Sequence, residues 1–222
     1  MNQKFIWIFL ILIFLISCTQ KQENNNIQNV IVPDKRIELW NGQDFKAWIK
    51  FIPDKNVNPD SVWFISDENL YCAGNPICYI RTNSKYKNYK LTVVWRWPEE
   101  PGNSGVLLHI EEPDTVWPKC IEAQLMHENA GDFYVINGTD FDELIDKASR
   151  RLAKKENNSE NKPGEWNTYE IYCQENTITL FVNNVLQNKA TNCSVKSGQI
   201  GFQSEGKPIE FKEIFIEPLK LS

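Results

Sequence analysis

Two short stretches place proton-transfer and hydrogen-bonding side chains where plain strands would carry none. Gly102 to Ile110, GNSGVLLHI, runs from a polar turn into an apolar strand and carries His109 near its end. Lys119 to Glu128, KCIEAQLMHE, sets Glu122, Gln124 and His127 into a second apolar run. The two-residue period of a strand puts Asn103, Gly105, Leu107 and His109 on one face. In the second stretch it groups Cys120, Glu122, Gln124 and Met126 against Ile121, Ala123 and Leu125. With Ile121, Ala123 and Leu125 turned to a core, Glu122 and Gln124 point away from it, into the groove of a curved sheet. Glutamate and histidine are the usual general acids and bases. Asn103, Ser104 and Gln124 add uncharged hydrogen-bonding groups. Each residue alone is an ordinary solvated strand position, but several on neighbouring strands describe a site.

Other chemistries lack their residues. Two histidines without close His, Cys or Asp partners argue against a structural zinc site. No Gly-x-Ser-x-Gly elbow surrounds Ser104, which reads as a turn residue or an oxygen ligand. Glu122 to Glu128 resembles the Glu-x-Asp-x-x-Glu strand of sandwich-fold endoglucanases, with two departures: Gln124 replaces the acid and Glu128 comes one residue late. Retaining hydrolysis needs two carboxyls about 5–5.5 Å apart, and this strand does not supply them in that way. The sequence demands no cofactor, although Glu122, Gln124 and Asp132 offer oxygen ligands to a divalent ion.

The elements that must position these groups are short strands. Leu91, Val93, Trp95 and Trp97 alternate with Thr92, Val94 and Arg96. Tyr169, Ile171 and Cys173 share a face, and Ile178, Leu180 and Val182 share another across Glu175-Asn176, which predicts a hairpin. Two further strands follow in GQIGFQS and PIEFKEIFIEPL, with a slip near Lys212 to Ile214 that predicts a bulge. One segment reads differently: from Thr139, TDFDELIDKASRRLAKK places Phe141, Leu144, Ile145, Ala148 and Leu152 at helical spacing. The expected fold is an all-β antiparallel sandwich with one short helical insertion.

The ends and the composition set the context. The chain has 222 residues and a formal charge of −5, without a sustained basic block. Arg150-Arg151 with Lys154-Lys155 falls on the expected helix among acids, so no nucleic-acid partner is expected. Phe5 to Ile16 is an apolar run of 12, short for a bilayer span and right for a secretory signal. It ends in Leu-Ile-Ser-Cys18, which resembles a bacterial lipobox. The expected organisation is a signal peptide over 1–17, a polar tether over 18–32 and one domain over 33–222. Lipidation of Cys18 would tether that domain to the membrane of the bacterial cell envelope. Cys72, Cys78, Cys120, Cys173 and Cys193 remain: Cys72–Cys78 and Cys173–Cys193 are candidate disulfide pairs, spacing leaves the connectivity open, and five buried thiols are the alternative.

A set of ordered motifs resembles the 3-keto-disaccharide hydrolase domain family. They are LWNGQDFKAW, VWRW followed by GNSGVLLH, KCIEAQL, AGDFY, GEWNTYEI, VLQNKAT and GQIGFQSEGKPIEFKEI, together covering Ile37 to Leu219. Many members carry Gln-Asp-His-Gly where this chain has Gln203-Ser204-Glu205-Gly206. The resemblance implies a concanavalin A-like jelly-roll sandwich in exported bacterial proteins that act on oxidised glycosides. The implied reaction removes the C2 proton of a 3-keto sugar and eliminates the C1 substituent. On that reading Glu122 or His109 is the base and His127 or Glu205 the acid. Arg96 or a metal holds the enolate oxygen, Asn103, Ser104 and Gln124 bind hydroxyls, and Trp117 stacks on a sugar ring. Arg96 is equally suited to a structural ion pair with Glu122. A carbohydrate-binding module without catalysis and a conventional glycoside hydrolase are the alternatives on the same fold.

Overall fold

The alternating runs form two antiparallel sheets that bury their facing sides against each other. The structure, a computed structural model, describes residues 29–219. The expected signal peptide, the Cys18 lipidation site and the tether through Gln28 lie outside the described residues. Numbered along the chain, one sheet contains β1 (Ile37–Glu38), β3 (Trp63–Ser66), β4 (Asn69–Cys72), β6 (Tyr89–Arg96), β11 (Asn167–Gln174), β12 (Thr177–Val182), β13 (Val185–Ala190) and β15 (Ile209–Pro218). Its order is β13-β12-β11-β6-β15-β4-β3, with β1 also on β15. The other contains β2 (Trp48–Phe51), β5 (Cys78–Thr82), β7 (Gly105–Glu111), β8 (Lys119–Gln124), β9 (Phe133–Ile136), β10 (Arg151–Leu152) and β14 (Gln199–Ser204). Its order is β10-β9-β8-β7-β14-β5-β2. This is the expected jelly-roll sandwich.

Leu91, Val93, Trp95, Tyr169, Ile171, Leu180 and Val182 of the first sheet meet Ile80, Val106, Leu108, Ile121, Ala123 and Phe202 of the second in one core. Full burial of an aliphatic side chain of this size contributes about 1.5–3 kcal/mol. The predicted hairpin forms, with Gln174 opposite Thr177. The predicted bulge lies in β15, between Phe211 and Glu213. All five cysteines from Cys72 onward are free and buried. Burial pushes the Cys72, Cys173 and Cys193 thiols up to about 12.

The helix expected from Thr139 onward does not form. Phe141 and Leu144 are buried as its pattern requires, yet Ile145 is 88% exposed. Arg151–Leu152 is instead an edge strand paired with β9. Side-chain hydrogen bonds, one local and one to a distant strand end, stand where the helix was expected. Asp146 Oδ1 accepts from Ala148 N at 3.0 Å. The Glu143 carboxylate accepts from both Thr191 N and Thr191 Oγ1 at 2.7 Å. Arg150 takes a left-handed φ of 55°, so the chain turns out of helical geometry just before β10.

The outer face of the second sheet is not uniformly open. Tyr79, Leu107, Ile110, Cys120 and Ile136 form a second apolar cluster there, with Trp117 packed against it. The loop between β7 and β8 crosses this cluster. Asp114 fixes it through a two-pronged ion pair with Arg81, Nε to Oδ1 and Nη2 to Oδ2, both 2.7 Å. The Tyr79 hydroxyl donates to the same carboxylate at 2.6 Å. The covered part of the face leaves one pocket beside it.

Candidate active site

The pocket is floored by the outward residues of β8, β9 and β14. Cross-strand register places Glu122 beside Leu107 on one side and Tyr134 on the other, and places Gln124 beside Gly105. Glu122 leans over Gly105: a Cβ built there would lie 2.2 Å from Glu122 Oε1 and 2.8 Å from its Cδ. The missing side chain of Gly105 is therefore the seat of the Glu122 carboxyl. Asn103, Trp117, Gln124, Gln203, Glu205 and Arg150 complete the polar and aromatic lining of a cavity of about 190 Å³. Asn103 and Glu205 are joined by an isolated backbone bridge at its end.

Three buried acceptors of this pocket have no partner within the protein: Asn103 Oδ1, Glu122 Oε1 and Gln203 Oε1. Unpartnered buried polar atoms are costly and rare in folded proteins. Three that converge on one cavity mark a place for hydrogen-bond donors from a ligand. Gln124 is different: its Oε1 accepts from Leu125 N and Met126 N at 2.8 Å, which leaves its amide NH₂ for the cavity. Burial pushes the Glu122 carboxyl up to about 8; the nearby Glu205 charge adds to the rise, while Gln203 and Arg150 oppose it. Burial also raises Glu205, and the Asn103 amide opposes that shift.

The fold thus brings together Glu122, Gln124, Asn103, Trp117 and Glu205, and it places four other expected site residues elsewhere. His109 faces the interior, 1% exposed. One extra residue on β7 at this point shifts the pairing with both β8 and β14, and His109 takes a φ of 58°. The bulge rotates His109 out of the face shared by Gly105 and Leu107. Its ring packs edge-on against Tyr89, centroids 5.7 Å apart. Its Nδ1 lies 3.3 Å from Val195 O, and burial lowers its pKa to about 4. His127 lies outside the pocket lining, with Nδ1 3.1 Å from Glu160 Oε2. Arg96 sits on the outer face of the opposite sheet. It donates to Glu210 at 2.7 Å and lies 4.4 Å from the Trp166 ring centroid, so its ion-pair partner is Glu210 and not Glu122. Ser104 is buried and structural, donating to Gln203 O at 2.9 Å.

The oxygen set expected for a divalent ion is not assembled. Asp132 gives one oxygen to Arg151 Nε and the other to Lys154 N, both at 2.7 Å. Among the described residues no group of three or more His, Cys, Asp or Glu could hold a metal.

Arg150, Gln203, Tyr134 and Met126 line the pocket without having been singled out as site residues. Arg150 was hidden by the expected helix, where it read as one of a solvated run of cations. Gln203 carried a signal, because it opens the Gln-Ser-Glu-Gly segment that departs from the family pattern at its second and third residues.

Three solved structures show the same architecture. A candidate glycosyl hydrolase from Parabacteroides distasonis is 20% identical, with a TM-score of 0.61 over 84% of this chain and 94% of the other. The β-glucanase of Bacillus licheniformis is 13% identical, with a TM-score of 0.58 over 82% and 97%. The carbohydrate-binding module CBM66 from Bacillus subtilis is 10% identical, with a TM-score of 0.57 over 78% and 97%. At these identities the likeness establishes the sandwich fold, which catalysts and binding modules share. No curated protein sequence matches the chain. The family model of the 3-keto-alpha-glucoside-1,2-lyase-like domain matches residues 35–217, which takes in both sheets and every residue of the pocket. This chain belongs to the 3-keto-alpha-glucoside-1,2-lyase-like domain family.

Proposed function

We propose that this pocket cleaves 3-keto-glycosides by proton abstraction at C2 and elimination at C1. The observation that carries the reading is the convergence of three unpartnered acceptors around a carboxyl raised to about 8. Sugar hydroxyls are the donors that those acceptors need, and the family membership supports a carbohydrate ligand. With His109 and His127 outside the pocket, Glu122 and Glu205 are the two carboxyls that line it.

The environments of the two carboxyls order their roles. Burial raises both, the deeper Glu122 to about 8, while for the half-buried Glu205 the Asn103 amide opposes the rise. The deeper carboxyl is suited to hold a proton as the acid and the shallower one to act as the base. Glu205 takes the C2 proton, and the C–H electron pair forms an enolate whose charge rests on the C3 oxygen. Arg150, the cation that lines this cavity, stabilises that charge. The enolate then restores the C3 carbonyl, a C1–C2 double bond forms, and the C1–O bond breaks. Glu122 gives its proton to the departing oxygen. Exchange with solvent returns one proton to Glu122 and removes one from Glu205, and water can add across the new double bond to complete a hydrolysis.

The test is leaving-group dependence. Glu122→Gln should lower turnover of a 3-keto-disaccharide by about 10²–10⁴-fold, the usual share of general acid–base catalysis. It should act far less on a nitrophenyl 3-keto-glucoside, whose leaving group needs no proton. Glu205→Gln should abolish both. Equal losses on the two substrates with Glu122→Gln would remove Glu122 as the acid, and turnover of the unoxidised glycosides would move the activity to conventional hydrolysis.

The apolar run before Cys18 supports the further proposal that the enzyme works at the cell envelope on a lipid anchor. Metabolic labelling with an alkyne fatty acid, lost in Cys18→Ser, tests it.

A further inference from the structure

The pocket is sealed on one side and continues on another. The sealed side is the loop from Glu112 to Trp117, held down by Asp114 on Arg81 and Tyr79. On the β9 side a second cleft of about 410 Å³ begins where the first ends, and Val135 and Arg150 line both. The floor of the second cleft is Leu144 and Val135, both buried. Its rim carries Asn137, Asp140 and Lys147. The Asn137-Gly138 turn, with φ of 52° and 81°, holds that rim in place.

We infer that this second cleft is the leaving-group subsite and binds the sugar unit released from C1. The inference rests on the reaction proposed above. The first cavity, at about 190 Å³, is below the roughly 300–1,000 Å³ of pockets for drug-sized ligands and has room for about one ring. A glycoside seated there must send its aglycone somewhere. The latched loop lies on one side, and the cleft beyond Arg150 adjoins the cavity, with Val135 and Arg150 lining both. An apolar floor under a polar rim matches a sugar, which presents C–H groups on its faces and hydroxyls at its edge. Asp140 and Lys147, paired to each other, offer an acceptor and donors at the same edge. Arg150 then stands at the junction of the two subsites. The substrate class is a short glycoside with its oxidised ring terminal, bound with the second unit toward β9.

The experiment is calorimetric titration of methyl α-glucoside and of trehalose, sucrose and maltose, all unoxidised, against wild type, Lys147→Ala and Lys147→Trp. Lys147 is 56% exposed and bonded to Asp140 and Phe141 O, and thermal melts verify that both variants fold. At least one disaccharide should bind wild type about tenfold more tightly than methyl glucoside. Lys147→Trp, which fills the cleft, should bring that ratio to about one, and Lys147→Ala should lower it by about threefold, as for a lost exposed hydrogen bond. Equal affinities for all sugars in wild type, a ratio unchanged by Lys147→Trp, or no binding of any sugar would each overturn the subsite. The titration uses neither ketone nor turnover. A protein that keeps the ratio but cleaves no 3-keto-glycoside would lose the proposed reaction and retain the subsite.

Discussion

Gly105→Ala is the sharpest test of how the site is built. The new Cβ would stand 2.2 Å from Glu122 Oε1 and 2.8 Å from both Cδ and Cγ. Ordinary contacts of this kind are about 3.5–4.0 Å, so the carboxyl must move by about 1 Å or change rotamer. A displacement of that size at a reacting group costs about 10²-fold in rate. The backbone itself has no reason to object, because Gly105 lies in an extended strand without a left-handed φ. Alanine there would even stabilise the chain by about 0.4–1 kcal/mol through the unfolded state, against the cost of reseating Glu122. The variant should therefore fold with a melting temperature within about 5 °C of wild type and still lose about 100-fold in kcat/KM on a 3-keto-disaccharide. A second signature follows from burial. Once displaced toward the opening, Glu122 is less desolvated and its pKa falls from about 8. A general acid must be protonated, so the basic limb of the pH–rate profile should move to lower pH. A rate within threefold of wild type with the limb still near 8 would refute the seat and the role of Glu122 together.

The other predictions concern charge. Arg150→Met should cost about 10²–10³-fold in kcat, as for loss of an oxyanion donor, and should raise the basic limb because Arg150 opposes the Glu122 shift. Glu122→Gln should also change the pH dependence of stability. Its folded pKa of about 8 lies above the unfolded value, so wild type loses stability as pH rises from about 4.5 through 8, by at most on the order of 5 kcal/mol; chemical denaturation at pH 5 and 8 should show that loss flattened in the variant. His109→Asn should keep turnover, because His109 faces the core, and its αL preference suits the φ of 58°. The His109 pKa is lowered to about 4, so the stability linked to it is present above pH 6.5 and lost as pH falls toward 4, by at most on the order of 3 kcal/mol; the variant should lack that acid limb. Asp114→Ala should destabilise by about 3 kcal/mol, since it leaves the buried Arg81 guanidinium without its two-pronged partner, measured by urea unfolding.

Much of this molecule follows from local pattern. Strict alternation in Leu91–Trp97 and Tyr169–Cys173 determines strands, because only one parity can bury its side chains. The same parity turns Glu122 and Gln124 away from Ile121 and Ala123, so their place on an outer face was legible before any tertiary contact was known. The ordered motifs likewise determine the family. What the pattern could not carry is the effect of single-residue irregularities and of partners far away in sequence. One bulge in β7 turns His109 inward, and strand periodicity has no term for an inserted residue. Apolar spacing from Phe141 to Leu152 satisfies a helix as well as a loop that buries Phe141 and Leu144. The choice falls to Thr191, 48 residues beyond Glu143, which binds its carboxylate. That choice brings Arg150 to the pocket. Arg96 and Glu122 both alternate correctly, yet they lie on opposite sheets, because the order in which strands pair is a property of the assembled sandwich. The raised Glu122 carboxyl is likewise tertiary: its cause is burial over a glycine on the neighbouring strand, with Glu205 brought in from the far end of the chain.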